Sequence, residues 1–310
     1  MSLAADRALG IAARFAADGA VSSVEKLPGG NINDTWLARA LGRDFILQRI
    51  NHEVFREPPL VVHNMRVVTG ELARRCNGED PALARRRFPE VIASNEGADI
   101  CRDAEGNWWR AITYLDGTFS VDRPSGPDQA AEAGRALGVF HRLIADLPPT
   151  DLHDTLPGFH VTPGYVADFD RASLSTGGKE RLAASAGARS AADWVESSRG
   201  RSGVLEDAAR AGLLAPRPIH GDPKIANLLF DQATGRCVSV IDLIRLNPAC
   251  CTTILETACG RAATPPVRPP LRRTRPISTR NSPGRCSAGI WPKRPRPRQN
   301  SPSFRMPSGC

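Results

Sequence analysis

Residues 219–231 read IHGDPKIANLLFD and set a His, an Asp, a Lys and an Asn at fixed steps inside a short apolar frame. Phosphoryl transfer is the chemistry such a set fits. It needs a carboxylate to orient an attacking hydroxyl and take its proton, and an oxygen ligand for a metal ion. Asp222 and Asn227, five positions apart, supply both, and Lys224 falls two after the Asp, where it can neutralise a transferring phosphate. A second acidic ligand is required, because the reacting groups are both negative and a metal must bring them together. Asp242 supplies it, behind the alternating apolar strand Val238–Ile241 and the turn DQATGR.

The spacing of Asp222 and Asn227 is that of the catalytic loop H-R-D-x-x-x-x-N of protein kinases, and loop, strand, turn, strand and Asp come in the kinase order. With H-G-D-x-K-x-x-N, the apolar run Leu228–Phe230 and V-I-D together, the chain resembles the aminoglycoside phosphotransferase and choline kinase superfamily. LPGGNINDTWLA, FILQRINHEVF and LPGFHVTP are most similar to its N-acetylhexosamine 1-kinase branch, over about residue 20 to Leu243. The resemblance implies an α+β, bilobal, protein-kinase-like fold. A small antiparallel-sheet lobe that binds nucleotide would span residues 1–115, and a mainly helical catalytic lobe residues 116–243. It implies ATP and Mg2+ as cofactors, and as acceptor a small-molecule hydroxyl, foremost that of an N-acetylhexosamine or related sugar. Asp222 is then the base, Asn227 and Asp242 hold magnesium, and Lys224 steadies the γ-phosphate. Aminoglycoside or choline/ethanolamine acceptors stay open, as does a relative that binds anions without turnover.

The preceding segments must position these groups. Ala4–Ala17 repeats apolar residues at helical intervals and predicts a packing helix. VSSVEKL, TWLARA and RDFILQRI predict three strands, the first two joined by PGGNIND. That loop takes the place of a nucleotide-covering loop: Gly29 and Gly30 permit close backbone approach, and Asn31 and Asn33 lie on it. A plain hairpin turn is the alternative. Protein kinases carry a phosphate-holding Lys on the third strand, paired with a Glu on the next helix. This chain departs from the pattern. The third strand ends in Gln48 and Arg49, and the expected helix Pro58–Cys76 has no acid before Gly70. Gln48 and Arg49 are expected near the nucleotide, with a solvated strand end as the alternative for Arg49. NWWRAITYLDG predicts a strand entering the interlobe linker, with Tyr114 where kinases seat adenine. A central helix is expected over Gln129–Leu147, with His141 a packed residue on its apolar face. Phe159 and His160 cluster before a helix, near the acceptor by resemblance. SLSTGGKERLAASAGARS predicts a flexible loop and helix.

The formal charge of +8 suggests an acidic polymer as partner, but its distribution excludes that reading. Residues 244–310 hold 13 Lys and Arg, one acid (Glu256), 12 of the 26 Pro and five of the eight Cys, which leaves 28 basic and 32 acidic residues elsewhere. The body is mildly acidic, and Cys76, Cys101 and Cys237 show no disulfide or metal spacing. No apolar run reaches the ~18 residues of a membrane span. A cytoplasmic protein with a sugar-like partner and no nucleic acid or membrane partner is expected.

The stretch IRLNPACCTTILE matches no expected continuation. Restoring a single G after the Leu243 codon, with synonymous bases chosen freely, turns Asp242–Glu256 into D-L-D-T-L-K-P-G-L-L-H-Y-D-I-G-D, which resembles the superfamily's D-x-G-D run. A single-base frameshift at Leu243–Ile244 is therefore expected, with residues 244–310 a disordered basic tail.

Overall fold

The computed structural model describes residues 3–16, 20–28, 32–76 and 88–249. α1 (Leu3–Ala12) buries Ala8, Ile11 and Ala12, the i, i+3, i+4 stripe of its pattern. It stops five residues before the expected end, because Arg14 and Phe15 donate to carbonyls only three residues back; Phe15 and Ala16 are still buried in that tightened turn.

The stripe covers a six-stranded antiparallel sheet. Its strands are β1 (Val21–Lys26), β2 (Asp34–Ala40), β3 (Phe45–Ile50), β4 (Val91–Ile92), β5 (Cys101–Arg102) and β6 (Trp108–Thr113), in the order β1-β2-β3-β6-β4 with β5 also on β6. Strand alternation divides their residues between two faces. Trp36, Ala38, Phe45, Leu47, Trp109 and Ala111 pack with α1. Leu37, Ile46, Ile50 and Ile112 belong to the opposite face, against α2 (Pro58–Cys76). α2 runs as the sequence predicts, opening on a Pro pair and closing on Arg74 and Arg75.

β7 (Thr118–Phe119) follows the sheet and leads to α3 (Pro127–Leu143), which starts two residues before the expected helix because Pro127 fits its first turn. Four helices come next: α4 (Thr162–Leu174), α5 (Thr176–Ala184), α6 (Ala186–Ser198) and α7 (Val204–Arg210). Where a flexible loop and helix were expected, α5 and α6 form in succession. Ser175 and Ser185 cap them by accepting from Gly178 N and Ala188 N.

Two small sheets complete the fold. β8 (Arg217–His220) enters the motif; β9 (Leu228–Asp231) and β10 (Cys237–Val240) form a hairpin that β7 extends; β11 (Leu246–Ala249) pairs antiparallel with β8. One apolar core runs from Leu27 through α2 and α3 to Leu246. The expected boundary at Ile244 therefore falls too early. Ile244 and Leu246 are 3% and 1% exposed, and residues 246–249 are held by β8. The rest of the expected tail, from Cys250, lies outside the described residues. No helix among the described residues is long and apolar enough to cross a membrane.

Candidate functional site

β8 ends in His220, whose side chain is buried. Its Nδ1 accepts the Asp222 N–H at 3.2 Å and its Nε2 lies 2.8 Å from the Ile241 carbonyl, so only the neutral tautomer with hydrogen on Nε2 satisfies both. Burial keeps the ring neutral by lowering its pKa. The ring thus fastens the loop carrying Asp222 to the strand that delivers Asp242. His141 on α3 accepts the His220 N–H at 3.4 Å and has its pKa lowered to about 4, chiefly by burial. It is the packed histidine expected.

Gly221 is required by a close approach. A Cβ there would stand 2.6 Å from the Arg245 carbonyl, which also accepts the Gly221 N–H at 2.9 Å. Asp222, 2% exposed, holds Lys224 Nζ at 2.6 Å, and Arg245 Nη1 lies 3.7 Å from the same oxygen. Asn227 donates through Nδ2 to the Asp222 carbonyl at 2.9 Å, and its own carbonyl accepts the Ile241 N–H at 2.8 Å. Asp222, Asn227 and the backbone before Asp242 are therefore tied together, as the motif spacing predicts. Asp242 is half-buried with φ 63° and ψ 45°, a left-handed conformation rare outside glycine.

A magnesium ion fits this arrangement. Asn227 Oδ1 is buried without a hydrogen-bond partner, which is costly unless a ligand completes it. With the Asp242 carboxylate it offers two oxygens, the modest protein share usual for magnesium that shares its shell with phosphates.

The other expected residues divide. Gly29, Gly30 and Asn31 lie outside the described residues. Asn33 Oδ1 accepts the Asn51 N–H at 2.9 Å and pins the end of that loop to the end of β3. Gln48 is 1% exposed; it donates to Thr35 Oγ1 at 3.2 Å and accepts two bonds from Arg110. Arg49 points to the other face, where Asp34 pairs with it, so the structure does not bring it to Asp222. A cavity of about 250 Å³, lined by Ile32, Asp34, Arg49, Asn51, His52 and Glu53 among others, adjoins that strand end and is not bordered by Asp222, Asn227 or Asp242. Tyr114 follows β6 and packs against the core. His160 adopts φ 64°, its Nε2 lies 2.7 Å from the Gly221 carbonyl, and its N–H is held by Tyr165 Oη at 2.7 Å. Phe159 stacks under the Arg245 guanidinium at 4.9 Å, so His160 contacts the loop that carries Asp222 and Phe159 contacts the segment after Asp242.

The sequence reading assigned no role to His220, Gly221, Arg245 or Arg110. For Arg110 a signal existed: it is the one charge in the apolar strand WWRAIT, and alternation puts it on the same face as Ile112.

Several solved structures are similar in outline. The microcompartment-associated aminopropanol kinase shares 16% identity over 77% of this chain and 69% of its own, with a TM-score of 0.47. Aminoglycoside phosphotransferase APH(3'')-Id from Streptomyces rimosus shares 18% over 82% of each chain, with a TM-score of 0.45. Spectinomycin phosphotransferase APH(9)-Ia, in complex with ADP and spectinomycin, shares 12% over 74% of this chain and 66% of its own, at 0.44. Residues 23–249 match the model of the phosphotransferase enzyme family, and they include Asp222, Asn227 and Asp242. The chain belongs to the phosphotransferase enzyme family.

Proposed function

We propose that the chain transfers the γ-phosphate of ATP, as its magnesium complex, to a hydroxyl of a neutral sugar such as an N-acetylhexosamine. The observation that carries the reading is the buried, unpartnered Asn227 Oδ1, held beside Asp242 by backbone bonds and beside Asp222 by its own amide. Asp222 orients the acceptor hydroxyl and takes its proton. Asn227 and Asp242 hold magnesium, which draws the phosphates and the acceptor together when bound. Lys224, now on the Asp222 carboxylate, turns to the γ-phosphate, and Tyr114 adjoins the base. Residues 1–115 act as the nucleotide lobe and residues from Asp116 to the end of β11 as the acceptor lobe. The cytoplasm is its proposed place, since Cys76, Cys101 and Cys237 of the mildly acidic body have no disulfide or metal spacing.

The surroundings of Asp222 support a neutral acceptor. In the present frame two cations, Lys224 and Arg245, lie against it and Phe159 stacks on the second; in the restored frame position 245 is Thr, and Lys224 is the cation common to both frames. A polycationic aminoglycoside or a choline would meet like charge there. The frameshift reading is retained as part of the proposal, and β11 fits either frame. Both reading frames place Leu at position 246 and Pro at 248, the positions that β11 sets opposite His220 and Pro218. Resequencing codons 238–260 tests it, since an extra G must restore an open frame.

One observation favours a second reading, a relative without turnover: Arg245 lies against Asp222 and covers Phe159, where the acceptor is expected. A transfer assay with magnesium ATP and a panel of N-acetylglucosamine, N-acetylgalactosamine, kanamycin and choline separates these readings. A phosphorylated sugar supports the first, a phosphorylated amine replaces its acceptor, and no product with any of the panel supports the second.

A further inference from the structure

Thr35, Gln48 and Arg110 stand opposite one another across β2, β3 and β6, on the sheet face turned toward α2. Arg110 is 1% exposed, among the largest fully buried side chains. Its Nε and Nη2 donate to Gln48 Oε1 at 3.0 and 2.8 Å, and Nη1 lies 3.3 Å from Met65 Sδ on α2. None of the ion pairs among the described residues includes it. A buried guanidinium is normally paired with a carboxylate, because desolvating a charge costs several kcal/mol, on the order of what a good pair returns. Here the neighbours are a neutral amide and a thioether. Burial lowers its pKa to about 10, so it remains a cation at neutral pH, and the carboxylate whose charge favours that cation is Asp242.

An unpaired buried cation on the sheet's inner face, whose charged form Asp242 favours, is arranged for a polyanion that arrives with the metal. In protein kinases a Lys on the third strand, paired with a Glu on the next helix, fills that need. This chain has the neutral Gln48 at that strand and the apolar Met65 at that helix. We propose that Arg110, displaced one strand over to β6, is the residue that grips the nucleotide's polyphosphate, with Gln48 as the positioning residue that aims it. The inference rests on the phosphotransferase reading of the site. Met65 is unbranched and changes rotamer readily, so Nη1 exchanges a weak sulfur acceptor for a phosphate oxygen when nucleotide enters. Thr35 holds the Gln48 amide so that its oxygen, the only acceptor it has, stays on Arg110.

The test compares Arg110→Met and Arg110→Lys with the wild-type chain, by calorimetric binding of magnesium ATP and of adenosine and by ligand-free thermal midpoints. In Arg110→Met the midpoint is expected to stay or rise, because an uncompensated buried charge is removed. Its affinity for magnesium ATP is expected to fall at least about tenfold while adenosine binding is unchanged, with Arg110→Lys between the two. Equal binding of magnesium ATP by Arg110→Met overturns the inference. Parallel loss of both ligands with a lowered midpoint, or failure of the variant to fold, overturns it too, since the guanidinium is then structural. A wild-type chain that binds neither ligand overturns the phosphotransferase reading itself, and the inference with it.

Discussion

Replacing His220 by Leu removes one ring and two bonds at nearly constant volume. The ring is 1% exposed, packs edge-on against Phe140 at 5.8 Å, and joins the Asp222 N–H to the Ile241 carbonyl. In the variant, both backbone groups remain buried with no partner, at about 1 to 3 kcal/mol each. The apolar replacement itself is well tolerated by Phe140, so the expected loss is about 2 to 5 kcal/mol. For a folded region of this size that lowers the thermal midpoint by about 5 to 15 °C. The assay is calorimetric unfolding at pH 7.5, repeated stepwise toward pH 5. The sign of the pH effect follows from the lowered pKa of His220. The neutral ring stabilises the wild type fully above the unfolded value of about 6.5, and this is lost as pH falls and the unfolded chain takes the proton first. The gap between wild type and variant must therefore narrow below about pH 6.5. His141, lowered to about 4, adds acid sensitivity of the same sign to both proteins. A midpoint within about 2 °C of the wild type at pH 7.5, or a gap that widens on acidification, refutes the reasoning.

Three further outcomes are expected. Gly221→Ala puts a methyl 2.6 Å from the Arg245 carbonyl and must separate the loop that carries Asp222 from the segment after Asp242; a loss of about 1 to 3 kcal/mol in denaturant unfolding checks it. Asn227→Ala deletes the unpartnered Oδ1 and the bond to the Asp222 carbonyl. The magnesium concentration needed for half-maximal binding of ATP should rise at least about tenfold, and stability should fall by about 1 kcal/mol. Arg49→Ala should leave nucleotide affinity within about twofold and stability within about 1 kcal/mol, because its pair with Asp34 is partly solvated and on the α1 side of the sheet.

The clustering of the candidate site was legible because its geometry is local. Asp222, Lys224 and Asn227 lie within six residues, and the β9–β10 hairpin carries Asp242 back beside them by simple antiparallel pairing, so spacing alone fixed their neighbourhood. The helix Pro58–Cys76 and the strands of the first sheet were legible for a similar reason, since periodicity reports which face is buried without reporting what buries it.

What the sequence left open depended on register and on distant partners. Gln48 and Arg49 are adjacent, and only the placement of α1 and α2 on opposite sheet faces decides which of them is turned toward α2 and which pairs outward with Asp34. Arg110 sits 62 residues from Gln48, a pairing that no local pattern signals. The end of the folded chain was misplaced because Leu246 looks like the start of an aberrant tail until β8, some thirty residues earlier, is seen to pair with it. Spacing along the chain determined that Asp222, Lys224, Asn227 and Asp242 come together; sheet register and helix packing decided that Gln48 and Arg110, and not Arg49, turn toward α2, because side-chain direction in a strand is set by its neighbours and not by its own residues.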